Sequence, residues 1–357
     1  MGHRQAVSGD GRPPARAEHV MRGTAAWSST QWRDDAVAWL DERLAAAGIE
    51  RTGDVEQPHL RPWATVLRAP TSTGPVWLKA AGPGTAFEVG LYELLSRVSA
   101  DHVLTPIATD PARGWIVLPD GGSPLGERLT GTALVDAFAA ALVRYGELQR
   151  DLAPHVEEAL ALGVSDMRPA VMLRRFDQAL EVTGSAIDSH GRPADRAMHR
   201  RVTALRPTVA SWCEQLMTSR VPASLDHNDL HPWNILGDGA GDARFYDWGA
   251  CVVAHPVAAM LVPLGFLQHM LGVDVDDPAV VRARHAYLRV FAGTAPGEDL
   301  ATTLEVACRV AKIARVLTWD RALRAARDDG EELDEQWATA PLTTLASLLD
   351  RSYVGGA

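Results

Sequence analysis

The chain has 357 residues and a formal charge of −10, and its 35 basic side chains comprise 33 arginines and only two lysines, Lys79 and Lys312. Neither lysine follows a glycine, which excludes a Gly-Lys-Ser/Thr phosphate loop. An acidic balance without any polybasic stretch argues against nucleic acid or an anionic membrane as the main partner. An apolar fraction of 46% can fill a sizeable core, and at roughly 150 residues per domain the length suggests two domains, or one large domain with a lobe.

Residues 1–24 are rich in Arg, Gly and Pro and hold no apolar run, so they read as a disordered leader and not as a signal peptide. From 29 to 47, Trp32, Val37, Trp39, Leu40 and Leu44 recur at helical spacing, and Gly48 follows as a helix terminator. Strand-like segments at 65–67 and 76–79 flank a Pro70-Thr71-Ser72-Thr73-Gly74-Pro75 turn and predict a hairpin. A helix over 86–98 and strands over 103–107 and 115–118 complete a small β-rich lobe, taken as 25–118. Pro119-Asp120-Gly121-Gly122 punctuates the pattern and marks a hinge at 119–122.

The remainder, 123–357, reads as mostly helical. Helices are expected over 132–150, 168–182, 194–219, 278–291, 300–327 and 341–351, with a polar loop over 183–193. The stretch 249–273 lacks formal charge, yet His255, Pro256, Pro263, Gln268 and His269 make it a poor membrane span; it reads as buried helix and loop. Cys213, Cys251 and Cys308 are odd in number and far apart, without a Cys-x-x-Cys pair, which fits a reducing cytoplasm. Gly82-Pro83-Gly84 lacks the third glycine of a dinucleotide loop and reads as a connecting turn.

One non-helical island, 225–248, interrupts the helices. It contains His227-Asn228-Asp229-Leu230-His231-Pro232-Trp233-Asn234, then a Gly/Asp turn, then Asp247-Trp248-Gly249. Phosphoryl transfer accounts for this set: one carboxylate orients an attacking hydroxyl, while an amide and a second carboxylate hold magnesium against a triphosphate. The turn at 236–244 could bring Asn234 and Asp247 to one ion.

This island, with a strand lysine, a helix glutamate and a hinge upstream, resembles the catalytic loop and metal motif of the aminoglycoside phosphotransferase and choline kinase family, over roughly 48–340. The resemblance implies a protein-kinase-like, two-lobed α+β fold, with a small β-rich N-lobe and a larger, mostly helical C-lobe. It implies an ATP- or GTP-dependent, Mg²⁺-dependent phosphotransferase acting on a hydroxyl of a small molecule. Asp229 would be the catalytic aspartate, and Asn234 and Asp247 the magnesium ligands. Lys79 would grip the α/β-phosphates with Glu88 holding it, and backbone groups of Leu118, Pro119, Asp120 and Gly121 would meet adenine.

Two departures stand out. Asn228 replaces the family's usual glycine, and Pro256 is followed by Val257, Ala258 and Ala259 where the family often has Pro-x-x-Asp. The expected glycine-bearing phosphate loop falls at 57–62 and has no glycine; Arg61 is its candidate substitute. Two alternatives follow: a non-catalytic nucleotide-binding protein, or a metal-dependent hydrolase using His227, Asp229 and His231. Pro232 argues for a loop at these histidines, in which both would brace the chain through hydrogen bonds. Glu88 has its own competing reading, since Thr85-Ala86-Phe87-Glu88 is a capping box. The acidic clusters Asp274/Asp276/Asp277 and 328–335 permit an amine-bearing acceptor such as an aminoglycoside or amino sugar but suit solvated helix ends and loops better, and Asp320 beside Trp319 is a candidate for the acceptor pocket.

Overall fold

Period-two alternation lays down the first layer of the computed structural model, which describes residues 23–190, 192–239 and 241–355. The leader expected over 1–24 lies outside the described residues as far as position 22. A short helix α1 (Thr24–Trp27) precedes α2 (Thr30–Ala46), which starts at Ser29, whose hydroxyl accepts the Trp32 N–H at 3.2 Å. It stops before Gly48, at φ +71°, a conformation glycine adopts without steric cost.

Strands β1 (Glu56–Arg61), β2 (Ala64–Ala69) and β3 (Val76–Ala81), helix α3 (Phe87–Val98), and strands β4 (Ala108–Asp110) and β5 (Trp115–Pro119) follow. They make an antiparallel sheet in the order β1-β2-β3-β5-β4. Val76, Leu78 and Ala80 of β3 join Leu67, Ala69 and Val117 in a core with Ala36, Trp39, Leu40 and Leu44 of α2. Alternation therefore turns Lys79 to the opposite face, towards α3.

Two strand expectations change. The stretch 103–107 is not a strand: Val103 and Leu104 are buried in the larger core behind a 3₁₀ turn, and pairing begins where Ile107 donates to Val117 O at 2.8 Å. Pro106, lacking an N–H, cannot extend the ladder. Conversely, 57–62, expected as a loop, is strand β1 and the start of a tight turn, since Arg61 pairs with Ala64. Its polar composition and Pro58 suit an edge strand with a register irregularity between Glu56 and His59, so it shows no apolar alternation.

Beyond the hinge come α4 (Leu125–Arg128), α5 (Gly131–Leu152), α6 (Val156–Ala161), β6 (Ser165–Asp166), α7 (Pro169–His190), α8 (Pro193–Thr203) and α9 (Arg206–Met217). Then follow β7 (Ser224–Asp226), β8 (Ile235–Leu236), β9 (Arg244–Phe245), β10 (Val252–Ala254), α10 (Leu261–Leu271), α11 (Pro278–Leu288), α12 (Leu300–Asp328) and α13 (Glu335–Ala346). The small strands form a β6-β10-β7 sheet and a β8-β9 hairpin, which frame the non-helical island.

Most of the polar loop expected over 183–193 is helix: α7 runs to His190, with the buried Thr183 hydroxyl satisfied by Ala179 O at 2.7 Å. The single helix expected over 194–219 is two, broken before Pro207, whose ring nitrogen cannot continue the hydrogen-bond ladder. The last helix starts at Glu335, with Asp334 at its N-cap and Pro341 inside it, and ends at Ala346, not 351. The segment 249–273 is buried as expected but includes strand β10. Among the described residues no helix is long and apolar enough to cross a membrane.

Candidate active site

Lys79 reaches two carboxylates from its strand. Its ammonium lies 2.8 and 2.6 Å from the two Glu88 oxygens and 2.6 Å from Asp247 Oδ1. Glu88, in the first turn of α3, also accepts the Trp248 N–H at 2.9 Å, so one buried carboxylate ties lysine to the Asp-Trp-Gly segment. The capping-box alternative fails for this reason, and because the Thr85 hydroxyl donates to Trp63 O at 3.1 Å. Burial opposes the charge on Lys79, but Asp247 and Glu88 outweigh it and raise its pKa. Desolvation by the surrounding protein likewise works against Asp247, although its side chain is half-exposed, yet the adjacent ammonium holds its carboxyl below the usual range. At Glu88 burial wins and lifts the carboxyl against the pull of Lys79.

The second loop hangs from β7. Asp229 is about one-third exposed, and Arg315 Nη2 lies 3.1 Å from its Oδ1. Asn234 donates from Nδ2 to Asp229 O at 2.9 Å, and the same nitrogen is 3.3 Å from His231 Nε2. Its amide oxygen is thus the atom suited to a hard cation, as is the second carboxylate oxygen of the half-exposed Asp247, whose first oxygen meets Lys79. An amide and a carboxylate, with phosphate oxygens and water completing the shell, fit magnesium. A linkage along the backbone, Tyr246 N–H to Asn234 O at 3.2 Å, couples the two loops.

Both histidines brace the loop. His227 is fully buried, faces Tyr246 O through Nε2 at 2.9 Å and packs 4.7 Å from Trp248, and burial lowers its pKa. His231 Nε2 lies 3.7 Å from Asp229 Oδ2. Among the described residues no group of three or more His, Cys, Asp or Glu is placed to hold a metal ion. Asn228 and Asp247 are the two non-glycine residues at positive φ among those described, at +60° and +64°.

At the hinge, Leu118 pairs with Trp77, Asp120 N–H donates to Pro75 O at 3.1 Å, and the Asp120 carboxylate accepts from Trp77 Nε1 at 2.9 Å. A Cβ on Gly121 would stand 2.2 Å from Leu236, so the hinge packs directly on β8. Pro119 closes β5 beside them.

Three expected residues are placed elsewhere or occupied. Arg61 lies over the Trp337 ring at 5.6 Å, not with the Lys79 cluster. Asp320 is no free pocket carboxylate: it is buried and held at 2.5 Å by both Arg324 and Arg327. Trp319 packs edge-on against Trp63 at 6.0 Å, beneath the Arg315 guanidinium. The acidic clusters largely serve helix ends, with Asp277 accepting the Ala279 N–H and Asp334 at the N-cap of α13. The sequence did not single out Arg315, Thr318 or Arg321, all on α12. Thr318 Oγ1 accepts from Asn228 Nδ2 at 2.8 Å, and Arg321 donates to Gly249 O at 3.1 Å.

No family profile matches the chain, and no curated protein matches it. Solved structures do. A macrolide 2′-phosphotransferase from Brachybacterium faecium superimposes with a TM-score of 0.52 at 20% identity, covering 89% of this chain and 98% of its own. A choline kinase from Streptococcus pneumoniae gives 0.53 at 12% identity over 88% and 99%, and an aminoglycoside 2′-phosphotransferase type IIIa, in its GDP complex, gives 0.51 at 12% over 87% and 96%. The chain has the protein-kinase-like, two-lobed α+β fold of the aminoglycoside phosphotransferase and choline kinase family.

Proposed function

We propose that this protein is a small-molecule kinase that transfers the γ-phosphate of ATP or GTP to a hydroxyl group. The observation that carries this is Lys79 held by Glu88 and Asp247 together, beside a loop presenting Asp229 and Asn234. Leu118, Pro119, Asp120 and Gly121 would offer backbone groups to the base, and Lys79 would meet the α/β-phosphates once nucleotide competes for its charge. Asn234 and Asp247 would hold Mg²⁺, which when bound neutralises charge on the phosphate oxygens. Asp229 orients the acceptor hydroxyl and receives its proton as the acceptor oxygen bonds to phosphorus and the bond to the bridging oxygen breaks, releasing the nucleoside diphosphate. Positioning and electrostatics supply the rate enhancement, since no covalent intermediate is formed on the protein.

The acceptor is a hydroxylated small molecule. An amine-bearing alcohol stays in the first screen through the choline and aminoglycoside enzymes of like fold, although Asp320 offers it no carboxylate. We place the enzyme in the cytoplasm, where nucleotide is available and its three buried, free cysteines stay reduced.

The test is release of ADP or GDP over macrolide, aminoglycoside, amino-sugar and choline-like acceptors. Asp229→Asn is expected to lower turnover by about 10²–10⁴-fold while leaving the thermal shift by ATP·Mg²⁺ intact; full turnover in that variant would sink the assignment. A second reading, a nucleotide binder without catalysis, draws on the glycine-free β1–β2 turn, where Trp63 is packed between Trp319 and Trp337. ATP-dependent stabilisation without diphosphate release for any acceptor favours it.

A further inference from the structure

We infer that Arg315 is a positioning residue that holds Asp229 and its loop in the orientation transfer requires; this rests on the phosphotransferase reading of Asp229. Arg315 sits mid-way along α12, 86 residues from the carboxylate it meets. Its guanidinium uses two arms: Nη2 contacts Asp229 Oδ1 at 3.1 Å, and Nη1 donates to Asn228 O. A side chain only 13% exposed would carry a costly charge without such partners.

One helical turn along the same helix face, Thr318 accepts from the Asn228 side chain, which also reaches Ala250 O at 3.4 Å. Asn228, at φ +60°, is therefore gripped at its carbonyl and its amide by one helix. The consequence for Asp229 is directional. Oδ1 is engaged by Arg315, which leaves Oδ2 for an acceptor hydroxyl, with His231 Nε2 at 3.7 Å. A planar fork that joins a carboxylate to a neighbouring carbonyl defines an orientation that a lysine ammonium, as a point charge, does not. Trp319 completes the seat, its ring 5.8 Å from the guanidinium carbon.

The test has one arm independent of activity. In an Asp229→Cys variant, a guanidinium beside position 229 favours the thiolate, the form that reacts with iodoacetamide. Alkylation of that position at pH 7, read by peptide mass, is expected to be about tenfold slower in Asp229→Cys/Arg315→Met than in Asp229→Cys alone, as a shift of one pKa unit would give. Buried Cys213, Cys251 and Cys308, with thiols pushed up by burial, provide an internal reference. Equal rates in the two backgrounds overturn the contact.

In the second arm, Asp229 is retained. Arg315→Met is expected to lower the turnover for diphosphate release at least tenfold with the KM for ATP unchanged, and Arg315→Lys to restore only part of it. Unchanged turnover in Arg315→Met, or full recovery with lysine, refutes the positioning role. Where Arg315→Met lowers the melting temperature sharply, Arg315→Lys replaces it in both arms and must still fall short of arginine. If the unaltered chain releases no diphosphate with any acceptor, the phosphotransferase reading fails, while the thiol comparison still decides the contact.

Discussion

Asn228 and Asp247 occupy left-handed backbone conformations on the two loops of the candidate site, a region that costs an L-residue roughly 1–2 kcal/mol unless its surroundings impose it. For Asn228 the imposing contacts are visible: Thr318 and Ala250 hold the side chain, and Asp226 Oδ1 accepts the backbone N–H at 2.7 Å. Asparagine tolerates this region better than other non-glycine residues, which lets it replace the glycine usual in the related motif. Asn228→Ala keeps a Cβ at positive φ and loses the tether; Asn228→Gly loses only the tether. Urea unfolding is expected to find the alanine variant less stable than the glycine variant by about 1 kcal/mol. Equal stabilities would mean that the loop relaxes out of the left-handed region. Lys79 was legible because the chain has two lysines; Arg315 was not, because it has 33 arginines and nothing in the sequence marks one of them.

At the scale of elements, α12 seats both loops and the sheet. Arg315 and Thr318 meet the Asp229 loop, Arg321 meets Gly249, and Trp319 meets Trp63 at the β1–β2 turn. Apolar periodicity revealed this helix and strands β2, β3 and β5, since each buries a regular face. It missed β1, an edge strand with little to bury, and the start of α13, where an acidic run doubles as a helix N-terminus. The site's own residues were legible where they cluster within the island; their supports come from a distant helix face and leave no local spacing. Trp63 stacks edge-on with both Trp319 and Trp337, at 6.0 and 5.3 Å, and its carbonyl accepts from Gly82 N–H and the Thr85 hydroxyl. Each aromatic pair contributes about 0.5–1.5 kcal/mol. Trp63→Ala is therefore expected to destabilise the fold by about 1–3 kcal/mol and to speed amide exchange selectively in β1 and β2. Exchange unchanged in those strands would show that the turn is held by its backbone contacts alone.

For the molecule as a whole, stability and pH are joined through Asp226, buried at the end of β7 beneath the Asp229 loop. Burial pushes its carboxyl up to about 7, against the Asn228 N–H and the more distant Arg315. In the unfolded chain the same group titrates near 3.8. Between these values the folded state binds a proton that the unfolded state has released, so this residue's contribution to stability falls as pH rises from about 4 to about 7 and is level beyond. His255, buried against Ser219 and pushed down to about 4, works in the opposite sense: folded and neutral, it makes stability rise with pH between about 4 and 6.5. The two slopes offset one another, so the pH profile of the unaltered chain alone cannot reveal either. The difference between Asp226→Asn and the unaltered chain isolates the carboxylate, because asparagine keeps an acceptor for the Asn228 N–H and does not ionise. Urea unfolding at pH 5, 6, 7 and 8 is expected to find the variant gaining on the unaltered chain as pH rises, by about 3 kcal/mol between pH 5 and pH 8. A difference that stays constant with pH would show that Asp226 is ionised in the folded protein throughout, with Arg315 and the loop N–H outweighing its burial.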